Sequence, residues 1–227
     1  FLLVFLLTGE LWISAAAGAF FALDNALIVH LRGAMLEGFQ ITFALLSLIS
    51  FVLLSRAASR SAERMFALAL GACLALLLAI KVNGAVLLLL YPFLLWTWRR
   101  RLRDFAEACG LSLLAFVLVT AAVWQVHFSI ATTLNPKLEK GGLYTASGKY
   151  EALIKAGEQS SFSALPLNLQ EAYRYFKKYE VGVPKLNLCK DTENGSPFYF
   201  WPVGARSISY RWERNEDLVR YLYLQIN

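Results

Sequence analysis

Long apolar stretches are the feature that most constrains what this chain can fold into. They lie at about 11–29, 36–55, 65–98 and 105–128. A helix needs about 20 apolar residues to cross the hydrocarbon core of a bilayer, which is ~30 Å thick. Only 17% of the residues are charged, against about 25% in a typical soluble domain. The pattern predicts an all-α polytopic membrane protein with a transmembrane region over residues 1–128.

The third stretch, of about 34 residues, is too long for one membrane span. Lys81-Val82-Asn83-Gly84 interrupts it with a charge, an amide and a helix breaker. Because an Asn-Gly pair suits a tight reversal, we expect two short helices here, at about 65–80 and 84–98. The chain starts within an apolar run, so we expect it to be part of a longer protein, and we expect a further transmembrane helix to begin in 218–227.

Residues 129–217 have ordinary soluble-like polarity and are predicted to form a mostly helical and irregular extracytoplasmic loop segment. Helical periodicity marks 147–158 and 168–179. Asn168, followed by Glu171, fits a capping-box-like start to the second helix. Two arrangements stay open: both helices lie along the membrane interface with their apolar sides down, or they pack on each other as a small lid.

Positive charge indicates the orientation of the helices. The net charge of +6 is concentrated at the ends of apolar runs, in the arginine-rich loops 56–64 and 99–103. That placement is typical of membrane-flanking loops and argues against a nucleic-acid surface. The positive-inside rule puts both loops in the cytoplasm, and therefore puts 29–38, the turn at Lys81 and the segment after His127 outside it.

Several kinds of site are not indicated by the sequence. Cys73, Cys109 and Cys189 form no CxxC or Cys/His spacing, so neither a disulfide framework nor a metal site is predicted. There is no catalytic-triad spacing and no glycine-rich phosphate loop. We expect no metal and no cofactor.

The candidate site residues are cations at the edge of the bilayer core, where ionisable groups are costly and tend to be functional. Arg32 has a planar fork suited to a phosphate, although it could equally be a snorkelling arginine that pairs with Glu37 and holds the turn. Lys81 could neutralise an anionic headgroup or snorkel outward. The predicted supporting residues are Asp24, Asn25, His30, Glu37 and Asn83.

An aromatic-rich stretch at 194–212 is a second candidate region. Its aromatic side chains suit a membrane-interface belt, and they also suit stacking on a sugar or on a peptide acceptor. The residues singled out there are Pro197, Trp201, Pro202, Arg206 and Tyr210.

Four sequence runs, in this order, resemble one enzyme family. They are FALDNALIVHLRGAMLEGFQITFALLSL (21–48), GACLALLLAIKVNGAVLLL (71–89), GSPFYFWPVGARSISYRW (195–212) and YLYLQIN (221–227). The set resembles the protein O-mannosyltransferases (dolichyl-phosphate-mannose–protein mannosyltransferases) of the GT-C class. The resemblance implies an enzyme that moves mannose, with inversion, from a lipid-phosphate carrier to Ser or Thr hydroxyls of an acceptor protein outside the cytoplasm.

The resemblance also implies roles for individual residues. Arg32 matches the family's arginine at the donor phosphate, Lys81 is a supporting cation, and Glu37, where the family has Asp, orients Arg32. The family's catalytic acid lies in its first external loop, which is expected upstream of Phe1, so the catalytic residue is unknown and this piece alone is expected to be inactive.

The resemblance further implies a multi-pass protein of the bacterial or archaeal plasma membrane, because the loop after 105–128 has no room for a β-trefoil (MIR) domain. A eukaryotic member would lie in the ER membrane instead. The carrier would be a dolichyl or a polyprenyl phosphate.

Two other functions stay open at this point. One is a GT-C relative that glycosylates lipid A or another envelope glycan. The other is a non-catalytic transporter or membrane scaffold, although a transporter should show inverted repeats and broken helices at mid-membrane, and neither is evident.

Overall fold

A computed structural model describes residues 1–24, 28, 36–98, 101–130 and 146–182, together with the backbone of two strands near the C-terminal end. The helices within this part are α1 (Leu2–Thr8), α2 (Leu11–Leu23), α3 (Glu37–Ser55), α4 (Arg60–Ile80), α5 (Leu90–Thr97), α6 (Leu102–Ile130), α7 (Gly148–Ala156) and α8 (Leu165–Gly182), with 3₁₀ helices at Val82–Leu89 and Phe162–Ala164. The predicted all-α membrane fold is confirmed, since α3, α4 and α6 are each long and apolar enough to cross a membrane.

Helix α4 is the centre of the bundle. In the most apolar 18-residue window of each helix, the buried share is 39% for α4, compared with 22% for α3 and 17% for α6. The reason is that α4 packs against both neighbours, which leaves their outer faces free for lipid. The buried core cluster combines side chains of α4 with side chains of its neighbours: Ala67, Leu70, Leu74 and Leu77 from α4, and Leu54, Leu94, Trp98 and Ala108 from outside it.

Helices α4 and α6 approach each other closely at Gly71. A Cβ atom placed on Gly71 would lie 2.0 Å from the backbone oxygen of Ser112. Lipid tails are as apolar as leucine, so helices in a membrane associate through such close contacts of small residues rather than through burial of apolar surface alone. The Ser112 hydroxyl also forms a hydrogen bond with Tyr91 of α5, which fixes α5 against the same point.

The interruption predicted inside 65–98 lies where α4 ends. Lys81 has an extended backbone (φ −150°, ψ 133°), and the 3₁₀ helix Val82–Leu89 starts immediately after it. Gly84 packs so closely against the Leu77 side chain of α4 that there is no room for a Cβ atom. The chain turns back along α4 at this point. The 3₁₀ rise of about 2.0 Å per residue, followed by eight α-helical residues at about 1.5 Å, gives the 16-residue return segment a reach of ~28 Å.

The two arginine-rich loops meet at one end of the bundle. Arg101 bonds the carboxylates of Glu63 at 2.5 Å and Asp104 at 2.6 Å, and Arg64 bonds Glu107 at 2.6 Å. Arg60 also pairs with Asp104. The hydrogen bonds that Arg101 donates to Glu63 and Asp104 raise the pKa of its guanidinium group. Each buried carboxylate therefore has an arginine partner, as burial of charge requires.

The first helix of the surface segment, Gly148–Ala156, begins close to the expected position, whereas the start of the second differs from the expectation. The second one starts at Leu165 rather than Asn168, because Pro166 is well suited to a first helical turn. Asn168 is therefore inside the helix and donates to the Gln159 carbonyl at 2.9 Å. Glu171 accepts from the Ser147 backbone N–H at 2.6 Å and from its hydroxyl at 2.8 Å, so the predicted capping box is wrong.

A further difference lies at 218–227, where the sequence analysis expected the start of a transmembrane helix. Residues Leu218–Leu224 form a β-strand that pairs antiparallel with Ile208–Asn215. The register runs from Ile208 opposite Leu224 to Asn215 opposite Leu218, with an irregularity between Ser209 and Arg211. The segment LVRYLYL is rich in Val and Tyr, which favour strands, and it is only seven residues long, so its apolar character fits a hairpin as well as a helix start.

The contact at Gly71 generates a test with a matched control. Gly71→Ala should lower the stability of the bundle by about 1–3 kcal/mol, because the added methyl group meets backbone atoms that cannot move aside. Gly110→Ala, on α6, has no atom within 4 Å of the new Cβ and should be neutral or slightly stabilising. Thermal unfolding of both variants in the same detergent measures the difference, and equal midpoints would contradict this packing.

Candidate functional site

A cation–carboxylate pair lies at the end of the bundle opposite the arginine cluster. The ammonium group of Lys81, just past the last residue of α4, forms an ion pair with the carboxylate of Glu37, in the first turn of α3. The two helices run antiparallel, so the start of one and the end of the other meet. The side chains remain 41% and 30% exposed, so the pair is open to a ligand from outside the bundle.

A second polar bridge runs beside the first. Gln40, three residues after Glu37, donates its side-chain amide N–H to Oδ1 of Asn83, two residues after Lys81. The Gly84 backbone N–H donates to the Lys81 carbonyl at 3.1 Å and closes the turn. The two bridges hold α3 to both ends of the short segment that carries Lys81.

The electrostatics of this polar corner allow it to receive an anion. The Glu37 carboxylate neutralises Lys81, which reduces the cost of a cation at the bilayer edge. A lysine ammonium has three N–H donors, and the structure uses one on Glu37. Among the described residues, two donors are therefore left that could bind phosphate oxygens, and a charge-assisted hydrogen bond of this kind is about twice as strong as a neutral one.

The predicted site residues fall into two groups. Lys81, Glu37 and Asn83 come together in the corner just described. Asp24 marks the end of α2, with an extended backbone, and its carbonyl accepts from the Ile28 N–H at 3.0 Å. Asn25, His30 and Arg32 lie outside the described residues, as do Pro197, Trp201, Pro202 and Arg206, and Tyr210 is described only as part of a strand backbone.

Gln40 was missed by the sequence analysis. The available signal was its position: three residues after Glu37 in a helix, it lies on nearly the same face. Across the part of the chain with described coordinates, no group of three or more His, Cys, Asp or Glu side chains is placed to hold a metal ion.

Three membrane-length helices with an ion pair at the bilayer edge define an integral membrane protein with a polar site at one end of its bundle. The family model of dolichyl-phosphate-mannose-protein mannosyltransferase matches residues 1–134, more than half of the chain. The chain belongs to this family, whose members are membrane mannosyltransferases of the GT-C kind, and the resemblance inferred from the sequence is confirmed. No curated protein and no solved structure matches the chain.

The matched residues include the run around Arg32 and the turn at Lys81, but not the aromatic stretch at 194–212. The polar corner therefore lies inside the region that defines the family.

The Glu37–Lys81 pair can be tested against an exposed pair of the same charge types. A double-mutant cycle with Glu37→Gln and Lys81→Met should give a coupling energy of about 1 kcal/mol, because both groups are partly shielded from water. The Glu151→Gln and Lys155→Met cycle concerns a pair 4.0 Å apart whose lysine is 79% exposed, and it should give no more than about 0.5 kcal/mol.

Unfolding free energies of the variants in detergent supply both cycles. Additive effects of Glu37→Gln and Lys81→Met would show that the two side chains do not interact in the folded protein.

Proposed function

We propose that this protein transfers mannose from dolichyl- or polyprenyl-phosphate mannose to Ser or Thr hydroxyls of proteins, with inversion, on the extracytoplasmic side of the membrane. The observation that carries the proposal is the family match over residues 1–134, which contains the cation-bearing corner. A donor with a lipid tail requires a membrane-embedded enzyme, and the three apolar helices meet that requirement.

In the proposed reaction the bond between the sugar's anomeric carbon and the phosphate oxygen breaks while the acceptor oxygen attacks from the opposite face. The carrier phosphate leaves with one more negative charge than it had as a diester. Fixed N–H donors at the place where that charge develops lower the barrier. Lys81, held by Glu37, is proposed to supply such donors, together with Arg32.

The acceptor hydroxyl must lose its proton as it attacks, which calls for a general base. In the family this is an acidic residue of the first external loop, and we assign it to no residue of this chain. Glu37 is not proposed for the role, because its carboxylate is bound to Lys81 in the structure. No metal or cofactor takes part in the proposed reaction.

A lipid or envelope-glycan acceptor is the competing function, and the family match favours protein instead. Membranes that contain the intact enzyme can be given the mannosyl donor with a Ser/Thr peptide, with lipid A or with both. Mannose on the peptide hydroxyl supports the proposal, whereas transfer only to the lipid would replace it with the competing function.

The phosphate-binding role predicts a large loss of donor use in two variants. Arg32→Ala and Lys81→Met should each lower kcat/KM for the mannosyl donor by about 10²–10³-fold, the usual effect of removing one donor from developing negative charge. Lys155→Met removes an exposed lysine of α7 and should leave kcat/KM nearly unchanged.

Unfolding midpoints close to that of the unsubstituted protein establish that the variants are folded. A folded Lys81→Met protein with normal donor turnover would remove Lys81 from the site, and the same result for Arg32→Ala would remove Arg32.

The proposed orientation predicts the sidedness of single cysteines, with Cys73, Cys109 and Cys189 first replaced by Ser. Cysteines introduced at positions 32 and 81 should react with a membrane-impermeant maleimide added to the outside of intact cells. A cysteine in place of Arg103, beside the arginine cluster, should react only after the cells are opened. Labelling of 32 and 81 from opposite sides would exclude a shared phosphate site.

A further inference from the structure

Helix α8 has an unusual distribution of polarity. Its covered side is polar: Asn168 is fully buried and Glu171 is 4% exposed. Its uncovered side is apolar, with Leu169, Tyr173 and Phe176 exposed by 39%, 68% and 53%. These three residues follow the i, i+4, i+7 spacing of a single helix face. We call this face the apolar stripe of α8.

The polar side of α8 is held in place by specific bonds. Glu171 accepts from the backbone and hydroxyl of Ser147 at the start of α7, and Asn168 donates to the Gln159 carbonyl. Gln125 of α6 donates its side-chain amide N–H to the carbonyl of Ser160, the residue that follows Gln159. The orientation of α8 on the rest of the protein is therefore set by its polar residues, and the stripe is left largely uncovered, with Phe176 at its edge against α6.

The depth of the apolar stripe of α8 relative to the membrane follows from its contact with α6. Phe176 meets the Trp124 ring edge-on, with 6.2 Å between ring centroids. Between Glu107 and His127, α6 carries no ionisable side chain other than a cysteine, and the 19 residues of Ala108–Val126 span ~28 Å, close to the thickness of the hydrocarbon core. Trp124 lies near the far end of that span, where tryptophan is enriched in membrane proteins. Phe176 is therefore at the boundary between hydrocarbon and headgroups.

The charges of α8 fit the same position. Arg174, Lys177 and Lys178 are exposed. By helical spacing, Arg174 and Lys178 lie away from the stripe and Lys177 lies at its edge. A basic polar face with an aromatic apolar face is the composition of helices that lie in the plane of a membrane surface.

We propose that α8 lies in the extracytoplasmic membrane interface, with Leu169, Tyr173 and Phe176 in the acyl-chain boundary and its polar side bound to the protein. The occupant of the stripe is lipid. The proposal needs only the membrane position of α6 and does not depend on the catalytic activity.

Nitroxide labels can test the position of the stripe. Tyr173→Cys and Leu169→Cys place labels on it, and Lys178→Cys places a matched label on the opposite side of the same helix. In the protein with its native cysteines replaced by Ser, reconstituted in phosphatidylcholine–phosphatidylglycerol vesicles, labels at 169 and 173 should collide several-fold more with oxygen than with a water-soluble nickel chelate. The label at 178 should show the reverse preference.

Two results would overturn the proposal. Equal nickel-chelate accessibility at 173 and 178 would place the stripe in water. Protection of 169 and 173 from both reagents would show that protein, from a partner or a second copy, covers the stripe instead of lipid. Because two stripe positions are labelled, the test does not depend on the folding of one variant.

Discussion

The close packing of α4 against its neighbours is the contact on which the rest of the molecule depends. In a bilayer, apolar side chains are as well solvated by lipid as by another helix, so leucine-rich surfaces alone do not select a partner. Selection comes from the bare backbone at Gly71, which lets α4 touch the chain at Ser112, and from the hydroxyl that binds Tyr91. The position of each helix end, and of every charge there, follows from that contact.

Charge then fixes the ends of the helices. The 21 residues of α4 span ~32 Å, so the arginine–carboxylate cluster at its start and the Glu37–Lys81 pair at its end are separated by about one hydrocarbon thickness. The two ends differ in kind. At the cluster, Glu63 and Asp104 are nearly covered and held by arginines. At the other end, within the residues that the structure describes, Lys81 pairs with Glu37 alone, and both side chains are partly exposed.

Much of the helical fold could be read from the sequence because membrane spans have a simple requirement, about 20 apolar residues between charges. The break at Lys81 was visible for the same reason.

The bonding partners of individual side chains were harder to predict. The ion pair of Glu37 with Lys81 joins residues 44 apart in sequence, so no local pattern indicated it, and Gln40 gave no compositional signal. The expected contact of Glu37 with Arg32 involves a residue outside the described ones. Asn168 and Glu171 matched a local capping pattern, but Pro166 and the distant Ser147 determined their actual bonds. The final strand was mistaken for a helix because a run of seven mostly apolar residues is too short to show a distinguishing period.

The 3₁₀ helix after Lys81 has a mechanical consequence. A run of eight residues is long for this conformation, whose hydrogen bonds are poorer than those of an α-helix. Rewinding it to α would shorten it by ~4 Å and turn one end against the other by nearly half a revolution, since the two forms differ by about 0.5 Å and 20° per residue. The segment that joins Lys81 to α5 is thus longer than an α-helix with the same number of residues, and a change between the two forms would move Lys81 relative to α5.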